Sequence, residues 1–308
     1  MGKRLGLEMD EVSLIYSIHQ PTRCSSAYYR AANISSFGFI TYTTIMKFVF
    51  KALICTGITV SSLHAGEEGF VSLFDGETLN GWKAARSTGE GDSGAFSVNK
   101  DEKAIHVYAG QEHGSKQKSD CLNTEKEYSH YILKLEYKWE EKRFAPRVDW
   151  DRDAGLLFHV HGDLTKVWPA SLEMQIGESP ADKKQGKGNK GRFHTGDLFV
   201  LGKGLSTETA RDNGYWGPKG EVKRGRSVKT LLGVEKPKGE WNEMEIQVHG
   251  SKKAVFILNG EVVLETANFV KKNKDGETVA LEKGRIGFQA EWAELMYRNI
   301  RIKELPSK

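Results

Sequence analysis

From residue 70 onward the chain is cut into short runs with a two-residue hydrophobic period, separated by glycine, asparagine and charged turns. No stretch after residue 66 carries the 3.6-residue period of a long amphipathic helix. The clearest run is 131–139, where Tyr131, Leu133, Leu135, Tyr137 and Trp139 share one apolar face, with Lys134, Glu136 and Lys138 on the other. Asn259-Gly260 separates the apolar runs 254–258 and 261–265. Both residues accept positive φ, so the pair predicts a type I′ hairpin. Further runs lie at 70–74, 104–108, 155–160, 171–176, 197–201, 241–249, 284–289 and 295–302, extending the first to 131–140. About eleven strands with no helices between them predict an all-β domain of two packed antiparallel sheets, of sandwich or jelly-roll type. No internal repeat or linker divides it.

The N-terminal segment reads differently. Met46-Lys47 opens a short charged start, an apolar stretch follows from Ala52 to Val60, and Ser61-Ser62-Leu63-His64-Ala65 offers small residues for cleavage. This predicts a signal peptide over 46–65, an exported (periplasmic or secreted) mature domain over 66–308, and a non-native extension over 1–45. The apolar stretch is too short and interrupted to span a membrane. Cys24, Cys55 and Cys121 form no CxxC pair, so a thiolate zinc site is not expected, and the mature domain keeps Cys121 alone. A net charge of +4 does not point to nucleic acid, and the basic run 183–192, glycine-rich and without apolar residues, reads as a solvated loop.

Four segments carry a family resemblance. Leu73-Phe74-Asp75-Gly76 to Gly81-Trp82 opens the domain. Asp153-Ala154-Gly155-Leu156-Leu157-Phe158-His159 and Ser171-Leu172-Glu173-Met174-Gln175-Ile176 lie in its middle. Gly284-Arg285-Ile286-Gly287-Phe288-Gln289 followed by Tyr297-Arg298-Asn299-Ile300-Arg301-Ile302-Lys303 closes it. In order and spacing these segments resemble the 3-keto-disaccharide hydrolase family. That resemblance implies a concanavalin A-like jelly roll and an exported enzyme acting on 3-keto-glycosides by hydrolysis or elimination. Such chemistry needs a base for the acidic C2 hydrogen, an electrophile for the enolate oxygen and an acid for the leaving oxygen. His159 stands where the family often has arginine, Asp153-Ala154 replaces Asn-Ser, and Ala290-Glu291-Trp292 replaces the usual turn after Gln289.

Alternation puts Glu173 and Gln175 on one face of their strand and Leu172, Met174 and Ile176 on the other. Glu173 is therefore the candidate base, or a metal ligand, with Gln175 beside it; the alternative is an ordinary exposed carboxylate. His159 and His161 share the same two-residue spacing and are candidates for acid–base work or for holding a divalent metal ion. Asp149, Asp151 and Asp153 read as a solvated acidic turn rather than a calcium loop. Gln289, Glu291 and Arg298 are candidate sugar contacts, with Arg298 alternatively an ion-pair partner of Glu291. Trp168, Trp216 and Trp292 are candidate sugar platforms or plain core. The stretch 173–178 resembles the strand of a retaining glucanase, but its two glutamates are five apart and need a bulge to share a face. The rival function is a non-catalytic carbohydrate-binding module.

Overall fold

The computed structural model describes residues 67–88, 93–178, 193–209, 220–223, 227–228 and 234–307. The extension 1–45, the signal-peptide segment 46–65, the basic run 183–192 and Trp216 lie outside the described residues. Among the described residues no helix is long and apolar enough to cross a membrane.

The alternating runs become strands of two antiparallel sheets, and the fold is a jelly-roll sandwich. One sheet runs in the order Gly220–Lys223, Leu205–Thr209, Glu261–Lys272, Lys253–Leu258, Asn242–His249, His130–Arg143, Ala293–Glu304, Ala104–Val107, Phe96–Asn99. The other runs Ser227–Val228, Leu198–Leu201, Ala170–Gly177, Asp153–His161, Arg285–Ala290, Asp120–Thr124, Trp82–Ala84. A 3-10 turn at Ala85–Thr88 is the one helical element among the described residues.

The two-residue period decides which side chains face the space between the sheets. Tyr131, Leu133, Leu135, Tyr137 and Trp139 are all buried there. Leu156, Phe158, Leu172, Met174, Ile176, Ile286 and Phe288 meet them from the smaller sheet in one continuous cluster. Each large apolar side chain so buried stabilises the fold by roughly 1.5–3 kcal/mol. Asn259 and Gly260 take φ of 50° and 85° between paired strands, as the hairpin expectation requires.

A bulge and one close approach set the shape of the smaller sheet. The pairing of Asp153–His161 shifts register between Phe158 and His161 on one side and between Arg285 and Gly287 on the other. At this bulge His159 adopts φ 51°. Gly284 lies against the bulge so closely that a β-carbon on it would come within 2.6 Å of the His159 Cα. Backbone cannot swing aside as a side chain can. Gly284→Ala should therefore cost about 3 kcal/mol, read as a lowered urea midpoint; an unchanged midpoint would show that the bulge gives way.

Candidate functional site

The outer face of the smaller sheet carries the polar residues that alternation turns away from the core. Register aligns Gln175, Gly155, Gln289 and Cys121 in one row across four strands. The next row holds Glu173, Leu157, Gly287 and Asn123, and the row on the other side holds Gly177, Asp153 and Glu291. Glycine at 155 leaves a hollow in this surface. Glu173 Oε1 and Gln289 Oε1 both reach into the space a β-carbon of residue 155 would fill, which lies only 2.8 Å from Glu173 Cδ. Gly287 makes a second hollow, entered by Asn123 Oδ1 at 2.7 Å and Cys121 Sγ at 3.2 Å from the same kind of point. An open depression of about 420 Å³ adjoins it, lined in part by Asn123, Lys83, Leu164 and Arg285. Glu173 is not in that lining, so this depression and the buried carboxylate are not one space.

Glu173 is 3% exposed, and among the described residues no hydrogen bond or ion pair holds its carboxylate. Burial, reinforced by the nearby Glu291 and Asp153 carboxylates, pushes its pKa well above the ordinary carboxylate range. This environment makes a carboxylate a stronger base once ionised. Gln175 is also buried, with its Oε1 accepting from the Ile176 N–H at 3.0 Å.

Next to the hollow sits Arg147, which the sequence did not single out. Arg147 Nη1 donates to Asp153 Oδ2 at 2.9 Å and to Glu291 Oε2 at 2.7 Å, while Trp168 Nε1 donates to Glu291 Oε1. The guanidinium lies over the Trp292 and Trp150 rings at 4.4 Å and 5.0 Å. Asp153 is 4% exposed, so the solvated acidic turn expected there is corrected: Asp151 and Asp153 are buried, and of the three only Asp149 is open to solvent. Trp168 is 44% exposed beside the carboxylates, its ring centroid 6.4 Å from that of Trp292. Trp292, by contrast, is anchored by its Nε1 donating to the Gln117 carbonyl at 2.8 Å.

Other candidates fall elsewhere. The bulge breaks the alternation on which the reading of His159 rested, and Val160 takes the outer-face place beside Leu157 and Cys121. His159 instead packs against Phe158 and Phe269 with Nε2 at 2.9 Å from the Gly250 carbonyl. Burial lowers its pKa to about 4. His161 Nδ1 engages the His159 carbonyl at 2.8 Å, and burial lowers its pKa too. The two imidazoles do not converge, and no group of three or more His, Cys, Asp or Glu among the described residues could hold a metal ion. A divalent metal at His159 and His161 therefore does not fit this arrangement. Arg298 belongs to the larger sheet, where its Nε donates to Glu136 Oε2 at 2.6 Å and its guanidinium covers Trp241 at 3.7 Å. It contacts neither Glu291 nor the hollow. Glu173, Gln175, Gln289, Glu291 and Trp168 thus come together, Arg298 and both histidines do not, and Arg147, Asp153, Asn123 and Gly155 join the site.

Residues 69–303 match the family model of a 3-keto-alpha-glucoside-1,2-lyase-like domain. No curated protein matches the chain. Among solved structures, a candidate glycosyl hydrolase from Parabacteroides distasonis is 18% identical over 78% of this chain and 95% of its own length, with a TM-score of 0.48. A second such protein from the same organism is 21% identical over 73% of this chain and all 100% of its own, at 0.41. The carbohydrate-binding module CBM66 from Bacillus subtilis is 9% identical over 73% of this chain and 96% of its own, at 0.40.

Proposed function

The chain belongs to the family of 3-keto-alpha-glucoside-1,2-lyase-like domains, and on that premise we propose that it cleaves 3-keto-glycosides by base-assisted elimination, with Glu173 as the base. One observation carries this reading: a buried carboxylate without a hydrogen-bonding partner, aimed into a hollow kept open by Gly155 and shared with Gln289. A protein that only binds sugar has no use for such a group, since a desolvated carboxylate lacking a partner costs stability. An enzyme that abstracts a proton does, because the same desolvation raises the basicity of Glu173 toward that of a C–H bond made acidic by a neighbouring ketone.

The steps follow from the substrate's chemistry. The C3 ketone acidifies the C2 hydrogen. Glu173 takes that proton, and the electron pair moves toward the C3 oxygen as an enolate. Gln289 and Gln175, each with an amide that can donate, face the same side and can receive the developing oxyanion. The pair then returns to form the C1–C2 double bond as the C1–O bond breaks. The departing oxygen must gain a proton. Water adding across the new double bond completes net hydrolysis. The depression beside Asn123 offers room for the departing group, and the exposed Trp168 offers a stacking surface.

The reaction class is tested by incubating the domain with a 3-keto-disaccharide and, separately, with its unoxidised parent. Consumption of the keto compound alone, through an unsaturated ketone absorbing in the near ultraviolet, is the expected result. Equal cleavage of the parent would instead indicate an ordinary glycosidase, and binding without turnover would indicate a binding module.

A further inference from the structure

The Asp153–Glu291–Arg147–Trp168 group is built unevenly, and the unevenness places a proton. Glu291 receives two N–H donors, one on each oxygen: Arg147 Nη1 on Oε2 and Trp168 Nε1 on Oε1. Asp153 receives only the Arg147 Nη1, on Oδ2. Two buried carboxyl groups thus share a single guanidinium nitrogen. Both ionised, they would leave an uncompensated negative charge where exposure is 4% and 8%. One must hold a proton, and the better-solvated anion is the one with two donors. The neutral member is therefore Asp153, whose proton rests against the Glu291 carboxylate until the leaving oxygen takes it.

The geometry points to Asp153 as the general acid that protonates the leaving oxygen, with Glu291, Arg147 and Trp168 as the residues that hold its proton in place. This assignment rests on the elimination chemistry proposed above. Asp153 and Gly155 are alternate residues of one strand and face the same side, while Ala154 between them lies in the core. Glu173 projects over Gly155, so acid and base stand about one pleat repeat apart, ~7 Å. That span suits a base on the C2 hydrogen and an acid on the oxygen at C1, which are substituents of adjacent carbons. Burial and the Glu291 charge act in the same direction, raising the Asp153 pKa above the ordinary range.

The proton balance closes. The C2 proton passes to Glu173, the C1–O bond breaks as the C1–C2 bond becomes double, and the Asp153 proton passes to the departing oxygen. Glu173 ends protonated and Asp153 ionised, and exchange with water restores both.

A leaving-group series tests the role. Asp153→Asn should lower kcat/KM on methyl 3-keto-glucoside by about 100-fold or more, and on 4-nitrophenyl 3-keto-glucoside, whose phenolate leaves unaided, by less than about fivefold. Glu291→Gln removes the charge that keeps the proton on Asp153, so the alkaline limb of the methyl-glycoside rate profile should move to lower pH. An infrared band of a protonated carboxyl, present at pH 7 in Glu173→Gln (which removes the other raised carboxyl) and lost when Asp153→Asn is added, should report the proton directly. Equal losses on both substrates, an unmoved alkaline limb, or no such band overturns the assignment while leaving the elimination reading intact. Failure of the wild-type protein to consume the 4-nitrophenyl compound, which needs no acid, overturns the elimination reading and this role with it.

Discussion

Glu173→Gln should reduce turnover of a 3-keto-glycoside by about 10³–10⁴-fold and should at the same time make the domain more stable in mildly alkaline solution. Both effects come from the same burial. The carboxyl is 3% exposed, receives no hydrogen bond among the described residues and has the Glu291 carboxylate nearby, so its pKa in the fold is raised. The sign of the pH effect follows from linkage. Above the unfolded pKa of a glutamate, the folded state binds a proton that the unfolded state has released. Stability contributed by this site is therefore full below that pKa and falls as pH rises through the folded pKa. A glutamine keeps the shape and the neutrality and removes the titration. At pH 4.5 the two proteins should melt together. At pH 8 the variant should melt higher, by at least about 3 °C for a domain of this size. A variant that is inactive and also less stable at pH 8 would mean that the carboxylate is held by partners and is not the desolvated base described here. The expected pattern is the usual tension between activity and stability at a working site.

The architecture was readable from the period of the hydrophobic residues because that period has a physical cause: one face of each strand must leave water. Strands with a full apolar face, such as His130–Arg143, Ala170–Gly177 and Asn242–His249, fall where the alternation puts them. The strand Asp120–Thr124 gave no such signal, although it lies inside the smaller sheet. Its outer face carries Cys121 and Asn123, which serve the hollow over Gly287, and its polar composition hid it among loops. The short strands Trp82–Ala84 and Thr278–Ala280 were hidden for a simpler reason, since three residues cannot display a period. Glu173 and Gln175 were legible because alternation held throughout their strand. His159 was misplaced because alternation failed by one residue at a bulge. A one-residue slip sends a side chain to the opposite face, and the positive φ of His159 followed by the close fit of Gly284 marks where it occurs. Arg147 lay in a segment without period, and only the folded chain shows that it joins two carboxylates, one in the strand Asp153–His161 and one in the connection after Arg285–Ala290. Asp153 looked like a surface residue because its neighbours in sequence are charged. In the fold those neighbours have partners of their own, as in the Arg152–Glu178 pair at 2.9 Å.

Gly155→Ala should remove activity while sparing the fold, and this separates a hollow made for chemistry from an incidental gap. A methyl group at residue 155 would occupy the space that Glu173 Oε1 and Gln289 Oε1 now share. Gly155 is not among the residues with positive φ, so the backbone accepts alanine without strain. The atoms in the way are the ends of two rotatable side chains, which can turn aside. Alanine also loses less chain entropy on folding than glycine, by roughly 0.5–1 kcal/mol within a strand. The melting temperature should therefore change by less than about 3 °C in either direction. Catalysis has no such latitude. Displacing the base by about 1 Å from the proton it removes costs on the order of 100-fold, so kcat/KM on a 3-keto-glycoside should fall by at least that factor. The contrast with Gly284→Ala is instructive, because there the added methyl meets backbone and the damage falls on stability. If Gly155→Ala keeps activity within about threefold of the wild type, then the carboxylate of Glu173 does not need the place it occupies. A base elsewhere on the sheet would then have to be sought.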